Sequence, residues 1–397
     1  MIKFEIKDGV LIKCKGNRQH VVIPDGVVEI GHDAFYGYTD MLTLKMPSTV
    51  TRIGDYAFAY CYELESISLS RNITHIGAGA FEGCRRLYSI TIPKGVTELA
   101  DRLFWGCHYL QEVTLPQGLT TIGKSTFFGC DLLGELELPT SVEKIGESAF
   151  EECKRLLSIQ IPEKVKEIAP FTFFRCFKLC SVTMGHGVES IGYGAFGFCV
   201  HLKKVTFSRR LTSIGEKAFK YCVRLERITL PNAVTFIGDY AFFGCRWLSF
   251  VKLSTSLTTL AEGIFQGCKH LKQILIPDGV TTISDLAFYN CLELTAVGFP
   301  TSLTHIGASA FAHTSLSQLE LPFQLATIGK EAFHHCCFLK TILLLASPSQ
   351  IDEDAFLHCS SITKVLIPSL AAFESISFAN RYANPTAYGA TLSEYTE

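Results

Sequence analysis

Phenylalanine returns every 23 residues along most of the 397-residue chain, and this spacing constrains the fold more than any other feature. A period of about 20 to 50 residues indicates stacked repeats in a solenoid, a propeller or an array. One step of 22 residues interrupts the series, between Phe311 and Phe333. Function should therefore be sought on a repeated surface rather than in one pocket. The phased residues are Phe35, Phe58, Phe81, Phe104, Phe127, Phe150, Phe173, Phe196, Phe219, Phe242, Phe265, Phe288, Phe311, Phe333 and Phe356.

The composition is that of a folded chain with little net charge. Hydrophobic residues make up 48% of the sequence and charged residues 19%, which excludes global disorder. The formal net charge of -2 argues against a nucleic-acid binder, because such a protein makes many phosphate contacts. No apolar run reaches the roughly 20 residues needed to cross a bilayer, so membrane insertion is not expected.

The first ten residues alternate charged and apolar side chains and do not resemble a secretory signal peptide. If Met1 is the native start, this pattern predicts a cytoplasmic protein. If Met1 was introduced for expression, an export signal would have been removed.

Each repeat contains a segment typical of a strand with one buried face. After Phe81, residues 89–92 read Ser-Ile-Thr-Ile, which predicts that the isoleucines point inward and the polar residues outward. Proline follows this segment in most copies, as Pro93 does here, and proline is tolerated better at the margin of a sheet than inside it. The second half reads Val-x-x-Ile-Gly-x-x-Ala-Phe, whose glycine predicts a tight turn or a close backbone approach.

The repeat is similar to that of the BspA-like leucine-rich repeat family, Leu-x-x-Ile-x-Ile-Pro-x-x-Val-x-x-Ile-Gly-x-x-Ala-Phe-x-x-Cys, from about Val22 to Pro368. The resemblance implies an α/β repeat solenoid, a right-handed leucine-rich repeat coil with one parallel strand per repeat and short helical or 3₁₀ turns opposite. It divides the chain into an N-terminal strand or hairpin cap with a first partial repeat (1–30), an array of about 15 repeats (31–368) and a C-terminal cap or spacer (369–397). It also implies a cell-surface or secreted protein that adheres to host or matrix proteins.

The cysteines follow the same phase. Neighbouring strands lie ~4.8 Å apart, whereas the Cβ atoms of a disulfide lie ~3.8 Å apart. We therefore expect a column of buried thiols that act as small apolar spacers. Cys14, Cys180 and Cys337 fall outside the column and are the better candidates for reactive thiols. The column contains Cys61, Cys84, Cys107, Cys130, Cys153, Cys176, Cys199, Cys222, Cys245, Cys268, Cys291, Cys336 and Cys359.

Two further motifs coincide with repeat columns. Residues 192–197 match Gly-x-Gly-x-x-Gly but lie inside the repeat consensus, without the strand–helix unit of a dinucleotide site. His313, His335 and His358 fall two positions after their Phe in consecutive repeats, with His334 adjacent. Imidazoles on adjacent coils could converge on one metal ion. Because other copies carry other polar residues or glycine here, a polar turn column is the favoured interpretation, and no metal or other cofactor is expected.

The outward strand residues are expected to form the concave face of the solenoid, where repeat proteins usually bind partners. Most copies place polar residues there, whereas Phe250 and Leu275 should face outward, with Trp247 at a strand entrance. Exposed aromatic residues beside arginine are typical of interface hot spots. The alternative is local variation in a solvated face, with Trp247 folded against a neighbouring coil. The cationic residues of this predicted site are Arg227, Arg246, Lys252 and Lys272.

The sequence thus favours a non-enzymatic protein that binds another protein. The family resemblance implies that this partner is a host or matrix protein. No Ser/His/Asp set or shared pair of carboxylates stands apart from the repeat columns. An enzyme would require a closed cleft with perturbed titratable groups. The alternative is a glycan-binding module that uses exposed aromatic residues as sugar platforms. The candidates for that role are Trp105, Phe128, Phe243 and Trp247.

Overall fold

The computed structural model describes residues 2–345 and 347–395. Its contacts divide the chain into an N-terminal unit, Met1–Ser208, and a C-terminal unit, Arg209–Glu397. Each unit is a stack of coils joined by parallel strands, as the phenylalanine period predicts. The outer ends of the two predicted terminal regions, residues 1 and 396–397, lie outside the described residues.

In most coils one strand is the predicted one, with a buried or half-buried residue between two outward ones. Strands of successive coils pair in parallel within each unit, for example Ser181 with Lys204 and Arg227 with Phe250. We call this series the outward strands. They are His20–Val22, Thr43–Lys45, Ser66–Ser68, Ser89–Thr91, Glu112–Thr114, Ser158–Gln160, Ser181–Thr183, Lys204–Thr206, Arg227–Thr229, Phe250–Lys252, Gln273–Leu275, Ala296–Gly298, Gln318–Leu321, Thr341–Leu344, Lys364–Ile367 and Thr391–Glu394.

A second series of short strands corrects the prediction of one strand per repeat. Except for Ser377–Phe378 at the C-terminal end, these strands come from the Val-x-x-Ile segment, and their isoleucine or leucine is buried in the core. The β-branched Ile suits a strand, but the segment is too short to show alternation in the sequence. The series comprises Glu29–Ile30, Arg52–Ile53, His75–Ile76, Glu98–Leu99, Thr121–Ile122, Lys144–Ile145, Glu167–Ile168, Ser190–Ile191, Ser213–Ile214, Phe236–Ile237, Thr259–Leu260, Thr282–Ile283, His305–Ile306, Thr327–Ile328, Gln350–Ile351 and Ser377–Phe378.

The helical or 3₁₀ turns predicted around each repeat Phe are not confirmed, because the described part of the repeat array has turns there and no helix. Two positions per repeat, two residues before and two after the Phe, have left-handed backbone. Around Phe58 these are Tyr56 (φ 52°) and Tyr60 (φ 60°). A right-handed helix does not continue through a residue with positive φ. The N–H groups bond to the next coil instead, as Tyr56 does to the carbonyl of Ala78 at 2.9 Å.

The core of each unit is a stack of the repeat phenylalanines beside the column of thiols. Centroids of neighbouring phenylalanine rings lie 5.1 to 5.7 Å apart within each unit. The column thiols are buried and free, as predicted. They also donate hydrogen bonds: the Sγ of Cys84 lies 3.1 Å from the carbonyl of Phe58. The cysteines therefore fill space and satisfy carbonyls of the turn.

The single 22-residue step is absorbed in a turn. Thr314 takes the column position of cysteine, and the next core residue, Leu316, follows one residue earlier than in other repeats. The rings of Phe311 and Phe333 still stack, with centroids 5.5 Å apart. The deletion therefore leaves the core column intact.

The N-terminal unit begins with an antiparallel hairpin of Lys3–Lys7 and Val10–Lys15. Its turn contains Asp8 and Gly9, both with positive φ, which suits a tight hairpin turn. Val10–Lys15 also pairs in parallel with Glu29–Ile30, so the hairpin joins the first coil.

The C-terminal unit ends in a segment that leaves the repeat phase but continues both series of strands. Ser377–Phe378 pairs with Gln350–Ile351, and Thr391–Glu394 pairs with Lys364–Ile367. No helix in the described part of the chain is long and apolar enough to cross a membrane. In this segment a helix precedes Ser377–Phe378, and a 3₁₀ turn lies between that strand and Thr391–Glu394. The helix is Leu370–Glu374 and the 3₁₀ turn is Arg381–Ala383.

Candidate partner-binding surface

The outward strands of the C-terminal unit carry two columns of side chains that face away from the core. Two large apolar residues, Phe250 and Leu275, are exposed in these columns on neighbouring strands. Leu343 and Leu366 occupy the second column near the end of the array and are half-buried. In chain order the first column contains Arg227, Phe250, Gln273 and Ala296, and the second contains Thr229, Lys252, Leu275 and Gly298.

Phe250 lies beneath the guanidinium of Arg227. The Cζ atom of Arg227 is 4.2 Å from the centre of the phenyl ring, and 37% of Phe250 stays exposed. A cation–π contact of this kind contributes about 0.5–1 kcal/mol at an exposed site. The contact also fixes the orientation of the ring, which lowers the entropy lost when a partner packs on it.

Leu275 projects over a position where the next strand has no side chain. Leu275 is 75% exposed and is in register with Gly298. A Cβ atom built on Gly298 would lie 2.6 Å from Cδ1 of Leu275. Gly298 therefore leaves room for the side chain of Leu275. Gly298 and the exposed Ala296 form a flat apolar surface beside Leu275.

The outward ladder is interrupted between the strands that carry these two residues. Phe250–Lys252 and Gln273–Leu275 belong to different sheets. On either side the ladder is intact: the N–H of Leu230 donates to the carbonyl of Lys252 at 3.0 Å, and that of Ile276 to Gly298 at 2.9 Å. The ladder is interrupted in the same way between Ala296–Gly298 and Gln318–Leu321, so such breaks recur along the outward strands.

Trp247 lies in the turn that precedes the strand of Phe250. Its indole stacks on His270 of the next coil, with ring centroids 4.7 Å apart, and 55% of the residue remains exposed. The Nδ1 atom of His270 lies 2.8 Å from a carboxylate oxygen of Glu293. Trp247 thus packs on a neighbouring coil and still presents surface to solvent, which combines the two interpretations left open by the sequence.

The four cationic residues of the predicted site lie around Trp247, Phe250 and Leu275. Arg227, Arg246, Lys252 and Lys272 are exposed. None of them forms a salt bridge within the described part of the chain, although many lysines and arginines of the N-terminal unit do. Their charges are therefore not offset by ion pairs with the described residues.

The structure brings together some of the predicted residues and separates others. Arg227 contacts Phe250, whereas the ring contact of Trp247 is with His270. Trp247 and Phe250 lie on the turn and on the strand of the same coil. We call Trp247, Phe250 and Leu275 the apolar patch. His270 and Gly298 complete it. His270 is one of the polar residues common at its repeat position, whereas Gly298 is the one glycine in its outward column, a departure that is visible in the sequence.

The other aromatic residues considered as sugar platforms pack on one another. The rings of Trp105 and Phe128 stack at 5.6 Å, and both residues are half-buried. Phe243 meets the ring of Tyr221 edge-on at 5.0 Å. A sugar platform requires an open aromatic face, and Trp247 retains the largest exposed fraction of the four candidates.

The three cysteines outside the thiol column differ in accessibility. Cys14 was one of the three candidates for a reactive thiol, but it is buried beside the start of the column. Burial, with a smaller effect from Cys61, raises the pKa of its thiol to about 11. Since the thiolate is the reactive form, Cys14 is no longer a candidate. Cys180 is half-buried and Cys337 is exposed, so these two remain candidates.

The histidines near the C-terminal end form a group that differs from the predicted ladder. His334, His335 and His358 each place a ring nitrogen within 4.8 Å of the other two. His313, the third member of the predicted ladder, stacks on His335 at a centroid distance of 4.8 Å and lies outside this group. The spacing of the ladder is visible in the sequence, whereas the turn that directs His334 toward His335 and His358 is not.

The N-terminal unit contains a feature that the sequence did not signal. Residues 135–138 form no strand, although the repeat pattern there is preserved. The gap opens a cavity of about 440 Å³ lined by Leu136, Gln160, Pro162 and Glu163, among others. Pairing between the outward strands can therefore be interrupted while the phenylalanine and thiol columns of the core stay intact.

Comparison with known proteins identifies the repeat. The model of the family described as "BspA type Leucine rich repeat region (6 copies)" matches residues 5–133, 120–249, 212–339 and 258–384. No curated protein matches the chain at a significant level.

Crystal structures of three bacterial repeat proteins align with the chain. A leucine-rich repeat protein from Bacteroides ovatus is 27% identical, with a TM-score of 0.77 over 100% of this chain and 98% of that one. One from Eubacterium ventriosum is 23% identical, with a TM-score of 0.49 over 84% and 92%. A leucine rich cell surface protein from Faecalibacterium prausnitzii is 22% identical, with a TM-score of 0.40 over 95% and 96%. The Bacteroides structure supports a leucine-rich repeat fold along the whole chain.

Proposed function

Because the chain belongs to the BspA-type leucine-rich repeat family, we propose that it is a non-enzymatic protein that binds another protein. The contact surface is the apolar patch of Trp247, Phe250 and Leu275 on the C-terminal unit. Repeat scaffolds present such extended surfaces to their partners. By family resemblance we further propose a cell-surface or secreted location and a role in adhesion to a host or matrix protein.

The observation that carries this proposal is the exposure of Phe250 and Leu275 on neighbouring strands of a face that is otherwise largely polar. An exposed large apolar side chain is not stabilising in the free protein, since burial is the source of hydrophobic stabilisation. Covering these side chains at an interface would remove them from water. Aromatic residues and arginine are also the residue types most enriched at hot spots.

The exposed cations define the kind of partner that fits. Arg246, Lys252 and Lys272 have no acidic partner among the described residues and lie around an apolar centre. A matching partner surface would have an apolar centre with Asp or Glu at its rim. Long-range attraction of this kind raises the association rate and weakens as salt screens it.

Binding assays with a panel of purified matrix and plasma proteins test the proposal, with biolayer interferometry as the readout. For any protein bound by the wild type, Phe250→Ala and Leu275→Ala should each weaken binding about 10- to 100-fold, the range expected for truncated hot-spot residues. Replacing Lys252 and Lys272 with Gln should lower the association rate and its dependence on salt, with a smaller effect on dissociation.

Phe338→Ala is the matched control, because Phe338 is an aromatic residue of the same unit, 62% exposed and several coils away from the patch. It should leave affinity unchanged. Equal losses in Phe338→Ala and Phe250→Ala, or full affinity in Phe250→Ala, would remove the patch from consideration. Binding on a glycan array that depends on Trp247 but not on Leu275 would favour the carbohydrate alternative.

A further inference from the structure

A cluster of four histidines occupies the turn face of the last coils, away from the apolar patch. His335 and His358 stand at the same position of consecutive coils, and their rings stack with centroids 4.4 Å apart. His334 meets His335 edge-on, also at 4.4 Å. His313 stacks on the other side of His335. Nothing in the proposed binding function requires these residues.

The backbone holds the two coils in a fixed relation at this point. His335 and His358 both have left-handed backbone, with φ of 58° and 62°. The N–H of His335 donates to the carbonyl of Leu357 at 2.9 Å, and the N–H of His358 donates to the hydroxyl of Tyr388 at 2.7 Å. The side chains therefore start from restrained positions, which lowers the entropic cost of gathering them around a ligand.

We propose that His334, His335 and His358 bind one divalent transition-metal ion of the zinc class, which links the coil of Phe333 to the coil of Phe356. One ring nitrogen from each residue lies within 4.8 Å of the others. Tetrahedral bonds of about 2.0–2.1 Å to zinc place ligand nitrogens about 3.3 Å apart. Side-chain rotations that close a gap of about 1.5 Å are sufficient, because the exposed His358 and half-buried His334 have room to turn.

The ligand atoms of the cluster indicate which class of ion it would bind. Imidazole ligands suit zinc, copper and nickel, whereas calcium and magnesium prefer oxygen ligands. Three histidines leave a fourth position of a tetrahedral ion for water.

The exposed thiol of Cys337 lies at the edge of the cluster. Its Sγ atom is 4.0 Å from Nδ1 of His335 and 3.6 Å from the carbonyl of His358. A partner on Nδ1 leaves Nε2 of His335 free for the ion, in the way that outer groups orient histidine ligands. Cys337 is therefore assigned a positioning role and not a place among the ligands.

The repeat itself supplies matched variants. Asn290 occupies the position of His335 and His358 in an earlier coil with φ 61°, and Ala312 occupies that of His334 in the preceding coil. His335→Asn, His358→Asn and His334→Ala should therefore keep the backbone. His313→Asn is the control within the cluster, and the exposed His75, changed to Gln, is the control outside it.

Tag-free protein, stripped with a chelator, is titrated with Zn²⁺ by calorimetry and with Co²⁺ by absorption spectroscopy. We expect one ion per chain, no comparable binding of Ca²⁺, and at least a tenfold loss of affinity in each of the three ligand variants. His313→Asn and His75→Gln should stay within about twofold of the wild type. Zn²⁺ should raise the melting temperature of the wild type but not of His358→Asn.

Circular dichroism in the absence of metal shows whether each variant is folded. The absence of saturable Zn²⁺ binding would overturn the proposal, as would equal losses in His313→Asn and His358→Asn. A thiolate charge-transfer band in the Co²⁺ spectrum that disappears in Cys337→Ser would overturn the three-imidazole ligand set. If a ligand variant misfolds, the Co²⁺ spectrum of the wild type still decides, because a nitrogen-only site gives no such band.

Discussion

Arg102 holds the buried carboxylate of Glu82 with two hydrogen bonds, Nε to Oε2 and Nη2 to Oε1, each 2.8 Å long. The hydroxyl of Tyr60 donates a third bond to the same carboxylate at 2.6 Å. The three residues come from three successive coils of the N-terminal unit. The network therefore links neighbouring repeats beside the phenylalanine column. Its hydrogen bonds are strong because their acceptor is a charged carboxylate.

Replacing Arg102 should destabilise the N-terminal unit. Asn suits the left-handed backbone of this position (φ 57°) and removes both hydrogen bonds from the buried carboxylate. Hydrogen bonds to charged groups contribute about 1.5–3 kcal/mol, and Arg102→Asn should cost a similar amount in urea denaturation. The control is Arg86→Gln, which removes an exposed pair with Glu63 and should cost less than about 1 kcal/mol. Equal costs would show that burial of the pair is unimportant.

The same network predicts how stability depends on pH. Burial raises the pKa of Glu82, but the hydrogen bonds from Arg102 and Tyr60 outweigh burial and bring it below the ordinary value. The unfolded chain therefore binds a proton at a higher pH than the folded chain, so this contribution is present above the ordinary glutamate pKa of about 4.3 and is lost as pH falls through the folded-state value. The melting temperatures of wild type and Glu82→Gln should differ at pH 7 and converge below about pH 4. A difference that stays constant from pH 7 to pH 3 would contradict the assignment.

Gly298→Ala should alter the apolar patch without unfolding the chain. The new Cβ would lie 2.6 Å from Cδ1 of Leu275, the free end of an exposed and flexible side chain that can turn aside. We expect a change in melting temperature of less than about 2 °C, in line with a surface substitution, and a loss of partner affinity similar to that of Leu275→Ala. The double variant should bind like Leu275→Ala alone, because both changes act on one side chain. Additive losses in the double variant would show that Gly298 acts independently.

Thiol labelling of the native protein should separate the cysteines by position. A membrane-impermeant maleimide, followed by peptide mass spectrometry, should modify Cys337 first and Cys180 more slowly. Cys14 and the column thiols should react only after denaturation, because burial raises the pKa of Cys14 to about 11 and of Cys291 to about 12. Rapid native labelling of Cys14 would contradict its buried position.

Much of the fold follows from the sequence because one requirement recurs in every repeat. Each coil needs a large apolar residue at one place and a small one three residues later, so Phe and Cys mark the phase along the chain. The second strand of each repeat and the left-handed turns around each phenylalanine could not be predicted from the sequence. A strand of two residues, such as Lys144–Ile145, is too short to show alternation, and left-handed backbone at residues such as Tyr56 reflects hydrogen bonding between coils rather than local preference.

The candidate sites likewise have features that the sequence predicts and features that depend on the tertiary structure. The sequence determined the phase, the buried column and the exposed positions of Phe250 and Leu275, because alternation along a strand fixes which side chains face the core. The tertiary structure decided which residues meet. Stacking places Arg227 over Phe250, Trp247 on His270 and His334 beside His358, each pair at least 23 residues apart in the chain. Such contacts depend on the rotamers and turns of adjacent coils, and a repeat pattern specifies register but not the direction of each side chain.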